Sequence, residues 1–173
     1  MGSSTLLPFM GLLLYTASLV STYSYYCDSG WELFRDHCYY VSSDRKNWRE
    51  SLQICQTFGA NLASIHDKEE NTFAVNLAQN DERNIEIWIG ARTTQDMINF
   101  EWIDGSAWDF QGTIYGGQWA FEGVLALDVT RDYQSPGKVV WNKWTLYLDP
   151  RSISFMCKKL AKVKHGRPPM VHA

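Results

Sequence analysis

The 173-residue chain has no Cys-x-x-Cys and no His-Glu-x-x-His among its four cysteines and four histidines, so a dedicated zinc site is not expected. It has no Gly-x-Ser-x-Gly elbow. Gly137-Lys138 lacks both the earlier glycine and the Ser/Thr of a phosphate-binding loop. His37 and His66 lie far apart, and His165 and His172 fall in the C-terminal tail. Asp104 and Asp109 could form a carboxylate pair, but nothing near them in sequence supplies acid–base context, and turn residues are the simpler reading. No enzyme is expected. Excess charge is missing too: a net charge of −3 excludes a strongly basic nucleic-acid binder. There is no Asn-x-Ser/Thr acceptor, no internal repeat and no low-complexity tract.

What the chain does have is ring mass. It carries eight Trp, nine Tyr and eight Phe, enough to build the core of a single domain from large rings. Hydrophobic residues at 45% and charged residues at 20% fit a folded body. The charge is unevenly placed. Lys158 to Ala173 hold five of the sixteen basic residues and no acid, which leaves eleven bases against nineteen acids, or −8, on the rest. An acidic body with a basic tail is a statement about contacts, not about fold.

Near the N-terminus, LLPFMGLLLYTASLV (Leu6 to Val20) is an uncharged apolar run, broken by Pro8 and Gly11 and short of the ~20 residues that a membrane span needs. Thr22 and Ser24 follow at the spacing of a cleavage site. Residues 1–24 read as a secretory signal peptide cut near Ser24–Tyr25, although no Lys or Arg precedes Arg35. No second apolar run follows, so the product is expected to be secreted, extracellular and without a membrane span. Cys27, Cys38, Cys55 and Cys157 all follow the cut. An even number in an oxidising compartment implies two disulfides, with three connectivities open.

Two helices are legible. Asn47 with Glu50 three residues on resembles a capping box, and Trp48, Leu52, Cys55 and Phe58 then mark one helical face, stopped by Gly59. Asp67 with Glu70 opens a second helix, whose expected buried face is Phe73, Ala74, Leu77 and Ala78. The acids Asp67, Glu69 and Glu70 suit the helix dipole, and capping is preferred to a metal site. Residues 86–90, 100–103, 124–129, 139–146 and 153–157 read as strands. From Gly105 to Gly123 five glycines are interleaved with Trp108, Phe110, Tyr115, Trp119 and Phe121. A long loop of that kind either folds onto its own rings or displays some of them. The class is α+β.

At this point the residues resemble the C-type lectin-like domain family, over nearly all of 27–158. Cys27-x2-Gly-Trp31 with Cys38-Tyr39 is similar to the family's N-terminal hairpin. Gly59-Ala60-Asn61-Leu62-Ala63-Ser64-Ile65 after the first helix, Trp88-Ile89-Gly90-Ala91, Trp102-x-Asp104-Gly105-Ser106, Trp141-Asn142 and Phe155-Met156-Cys157 complete the pattern in order. The resemblance implies two helices packed on small antiparallel sheets with a long loop, and disulfides Cys27–Cys38 and Cys55–Cys157. It divides the chain into signal peptide 1–24, domain 25–158 and basic tail 159–173.

The departures carry the functional reading. The family's inner disulfide would fall at Val124 and Leu146, both apolar here and expected to pack on each other. Sugar-binding members hold Ca²⁺ with a proline-centred tripeptide in the long loop and with Trp-Asn-Asp in the next strand. Here 105–124 contains no proline, and Lys143 follows Asn142. Calcium needs six to eight oxygens, so no calcium cofactor is expected at that site. Two arrangements are open to the Lys143 ammonium: it can swing away on its flexible stem, or take the ion's place bonded to Glu122 or Asn142. The candidate ligand surface is Trp108, Tyr115, Gln118, Trp119, Glu122, Asn142 and Lys143. The implied function is a recognition module for an extracellular protein, glycan or lipid, in extracellular recognition or innate defence. The alternatives are a calcium-dependent lectin with a divergent site, and a structural or inhibitory protein-binding domain. Nucleic acid is not an expected partner. The basic tail is a candidate contact for anionic surfaces, against the plainer reading of a frayed terminus.

Overall fold

The computed structural model describes residues 23–115, 123–130, 143–148 and 151–165. Both helices form where their caps place them. Helix α1 (Trp48–Thr57) starts at Asn47, whose side chain accepts the Glu50 N–H at 2.8 Å. Helix α2 (Lys68–Ala78) starts at Asp67, which accepts the Glu70 N–H at 2.8 Å. Gly59, at φ +65°, takes the left-handed turn that ends the first helix.

The described strands are β1 (Tyr23–Tyr26), β2 (Glu32–Phe34), β3 (His37–Val41), β4 (Asn61–Leu62), β5 (Glu86–Thr93), β6 (Phe100–Trp102), β7 (Thr113–Tyr115), β8 (Val124–Asp128), β9 (Lys143–Tyr147), β10 (Ser154–Leu160) and β11 (Lys162–His165). Nine of them make one sheet, ordered β2-β3-β10-β5-β8-β9-β7, with β4 on β10 and β6 on β5. The sheet is mixed rather than purely antiparallel, because β10–β5 and β7–β9 run parallel.

The sheet's centre is covered on both faces, which is why its strands read as continuous apolar runs. Ile87, Ile89, Leu125, Leu127 and Met156 face one way, into a cluster with Ala74, Val75 and Ala78 of α2. Trp88, Ala126, Phe155 and Cys157 face the other way, toward Trp48 and Cys55 of α1. Cys55–Cys157 bolts α1 to β10 across 102 residues of sequence, and Cys27–Cys38 ties the chain after β1 to β3. Gly90 is required by a close approach: a Cβ there would overlap the Leu62 carbonyl oxygen.

Several expectations change in detail. Phe58 is exposed at the end of the α1 face, edge-on to Trp31 and Tyr40. In α2 the fully buried residues include Val75, while Phe73 and Leu77 sit half-buried at the rim, Phe73 stacking on Phe34. Val124 and Leu146 do not face each other. The register pairs Val124 with Tyr147 and Leu125 with Leu146, which puts the two expected partners on opposite faces of the sheet. Val124 joins the α1-side cluster, and half-buried Leu146 packs on the α2-side cluster.

The C-terminal segment keeps regular structure past residue 158. Lys158 and Lys159 belong to β10, and β11 pairs with β1 as a separate two-stranded ribbon, Tyr23 opposite His165 and Tyr26 opposite Lys162. Two of its charges are engaged with the body: Lys159 and Lys162 both meet Asp28. A cut between Ser24 and Tyr25 would fall inside β1.

Candidate functional site

Of the seven expected surface residues, Gln118, Trp119, Glu122 and Asn142 lie outside the described residues. The other three divide. Trp108 is taken up by the core. Its ring lies 4.7 Å from Trp102, 5.5 Å from Phe100 in a stacked pair, and 5.8 Å edge-on from Trp144. Its indole N–H donates to Gln111 at 3.2 Å. The start of the long loop therefore packs onto the rings of β6 and β9. Tyr115 remains 52% exposed at the end of β7.

Lys143 sits at the head of β9 with its ammonium 5.4 Å from the Tyr115 ring. Its partner among the described residues is Asp128; the two expected ones, Glu122 and Asn142, lie outside them. It donates to Asp128 Oδ2 at 2.6 Å, one residue beyond the Leu127–Trp144 rung of the β8–β9 ladder. Asp128 is buried, and burial alone raises its pKa. The bonds from Lys143 and Thr130 outweigh that and hold it below the ordinary carboxylate value, while the same bond raises Lys143. Sequence reading missed Asp128 because the acid closes an apolar run. Its signal was the antiparallel register of 124–128 against 143–147, which brings it to Lys143.

A second polar group lies where β4, α2 and the loop entry meet. Glu70 and Lys158 are both buried, joined at 2.6 Å. The same carboxylate accepts the Tyr39 hydroxyl and, at 2.7 Å, the His66 N–H. Burial first, and then the neighbouring carboxylate, push the Tyr39 hydroxyl pKa well up. Lys158 also donates to the Ser64 carbonyl at 3.1 Å. Asp67 caps α2, while Glu70 holds β10 to it.

Next to this pair, His66 Nδ1 lies 2.7 Å from Asp109 and Nε2 lies 3.1 Å from Ser64 Oγ. The spacing is that of an Asp–His–Ser triad, and the chemistry is not. Ser64 is 1% exposed and its hydroxyl donates to Asp104 Oδ2 at 2.6 Å. A nucleophile needs an accessible oxygen and a proton directed at the base. This serine has neither. Asp104 and Asp109 each anchor the loop after β6, the first through Ser64 and the second through His66.

The arrangement has known relatives. The family model described as the Lectin C-type domain matches residues 44–159. The chain belongs to the C-type lectin domain family. A snaclec chain of Philodryas olfersii is 30% identical over 161 residues, spanning 92% of this chain and 94% of that protein. Among solved structures, the calcium-independent C-type lectin SPL-2 from Saxidomus purpuratus is 26% identical, with a TM-score of 0.64 over 77% of this chain and 93% of that one. A structure described as an SPL-1–GlcNAc complex is 25% identical, with a TM-score of 0.65 over 77% and 94%. This lectin-type chain is therefore a binding module of α+β fold. Calcium of the sugar-site kind does not suit the described part of its site, because the ammonium of Lys143 stands in the strand that should supply a carboxylate. Among the described residues no helix is long and apolar enough to cross a membrane.

Proposed function

We propose that this chain is a secreted recognition module that binds an extracellular ligand without calcium at the sugar-type position. The observation that carries the reading is the Lys143–Asp128 pair. Among the described residues the acid that Lys143 reaches is turned inward and neutralised by it, so neither residue is offered to a cation. The ligand surface is built around Tyr115 and Lys143, with Gln118, Trp119, Glu122 and Asn142 as its further members. An exposed ring beside an ammonium suits a sugar face with its hydroxyls, or an aromatic or acidic group of a protein. The relatives described as a calcium-independent lectin and as a GlcNAc complex support the glycan form of this reading.

A glycan array run with calcium and again with chelator tests it. Binding that is unchanged by chelator, and weakened by Lys143→Ala, is the expected result. Binding that chelator abolishes would replace it with a calcium-dependent lectin of divergent site. A second reading has its own support: the snaclec relative is named as one subunit of an assembly, which favours action on or beside another chain. A complex captured from extracellular fluid, with an empty glycan array, would select that reading. Cleavage near Ser24–Tyr25 would leave Tyr25 and Tyr26 paired with Val163 and Lys162, and the N-terminal sequence of the secreted product decides the site.

A further inference from the structure

Ser64 Oγ has three polar neighbours: Asp104 Oδ2 at 2.6 Å, His66 Nε2 at 3.1 Å and Lys158 Nζ at 3.3 Å. A hydroxyl has one proton and two lone pairs, and an ionised carboxylate only accepts. Asp104 is ionised: burial raises its pKa, but the bonds from Ser106 and Ser64 outweigh burial and hold it below the ordinary value. The Ser64 proton is therefore committed to Asp104. Lys158 fills one lone pair of the oxygen. The other faces Nε2, which must carry a proton to be bound there. Across the ring, Nδ1 lies 2.7 Å from the carboxylate of Asp109, so it too must carry a proton. Every atom in the chain Asp109–His66–Ser64–Asp104 is satisfied when both ring nitrogens donate. With one proton removed, either two lone pairs face each other or the Ser64 proton leaves Asp104.

We propose that His66 is a proton-operated clasp on the loop that follows β6. Asp104 and Asp109 are both on that loop, and both are tied through His66 and Ser64 to the strip of chain between β4 and α2. The doubly protonated ring holds both ties. The neutral ring can hold only one, so the loop loosens as pH rises through the ring's titration. The ring is reachable, since the His66 side chain is 25% exposed. The charged groups that face it come from every neighbouring element. They are Asp104 and Asp109 from the loop, Lys158 from β10, and Glu70 from α2, whose carboxylate accepts the His66 N–H. Beside them stands Asp67, paired with Arg35. The indole of Trp102 lies edge-on at 6.1 Å. The loop so held carries Trp108, which locks into Phe100, Trp102 and Trp144 one residue before Asp109. The proposal does not rest on any ligand.

Amide hydrogen exchange at residues 104–111, followed by NMR and corrected for intrinsic rates, tests the clasp between about pH 5.5 and pH 8. Protection about tenfold higher at the lower pH is expected, the size of one charge-assisted hydrogen bond. The difference should vanish in His66→Gln and in Asp109→Asn, and persist in His37→Gln. Asp109 is exposed, so its variant should fold. Imidazole ¹⁵N shifts of the unaltered protein provide a second readout. Both ring nitrogens should carry protons at the lower pH and only one at the higher. Equal protection at both pH values, a pH difference that survives in His66→Gln, or a ring in the same protonation state at both pH values would each overturn the proposal.

Discussion

Replacing Glu70 by glutamine removes one charge and almost no volume. The carboxylate serves three donors: Lys158 Nζ at 2.6 Å, the His66 N–H at 2.7 Å, and the Tyr39 hydroxyl. A glutamine offers a single acceptor oxygen to the same three, and its amide nitrogen turns a donor toward donors. The larger loss is the charge. Both side chains are about nineteen-twentieths covered, at 6% and 5% exposure, so water cannot replace the missing partner of Lys158. Breaking a buried pair from one side costs about 3–5 kcal/mol. At about 2–4 °C per kcal/mol for a chain of this size, Tm should fall by roughly 6–20 °C. Urea unfolding with disulfides intact is the assay, with the slope m required to stay constant so that the midpoint reports stability. Lys158→Met isolates the other half of the pair. The double variant should be more stable than the sum of the two losses by at least ~1 kcal/mol, because it removes both charges together. A loss below about 1 kcal/mol for Glu70→Gln, or strict additivity in the double variant, would refute the view that this pair is dry and coupled.

Four further outcomes follow from the geometry. Gly90→Ala should destabilise by about 1–3 kcal/mol, since the new methyl has only the Leu62 backbone to displace; a neutral midpoint would show that β4 can yield. Leu125→Ala should cost about 2–5 kcal/mol and Leu146→Ala clearly less, because the first is fully buried and the second half-buried; equal losses in urea would contradict the register. Asp128 has a lowered pKa in the fold, so its contribution is complete above its unfolded value of about 3.9 and is lost as pH falls through the lower folded value. Acid unfolding of Lys143→Met should lack that step, and an unchanged acid limb would remove the pair from the account. Calorimetric titration with calcium should show no binding that depends on Glu122 and Asn142; millimolar or tighter binding lost in a variant lacking both would restore the calcium reading.

The sequence is most readable where structure is local. Asn47 with Glu50 and Asp67 with Glu70 announce their helices because a cap and its N–H are three residues apart. The apolar runs at 86–90 and 124–129 announce strands because both faces of the sheet are covered. The site is less readable because its pairings are long-range. Glu70 meets Lys158 across 88 residues, and His66 meets Asp109 across 43, distances over which spacing carries no information. Lys143 stands out in the sequence as a departure from the family pattern, but its partner depends on a register that places Asp128 beside it. The same register separates Val124 from Leu146, which motif alignment alone would bring together. Trp108 illustrates the remaining ambiguity. A ring in a glycine-rich loop looks displayed until its neighbours Phe100, Trp102 and Trp144 are in place around it.

The β1–β11 ribbon makes this domain a lobe with a single doorway. The chain comes in along Tyr23–Tyr26 and goes out along Lys162–His165, side by side and antiparallel, so entry and exit share one point on the surface. Everything between them, including the loop and its tyrosine–lysine edge, can be carried by a stalk, fused to another protein or inserted in one without a crossing strand to disturb. Tension applied to the two ends would unzip that ribbon rung by rung. The next links are Cys27–Cys38 and then Cys55–Cys157, and these covalent stops leave the sheet behind them out of the line of force.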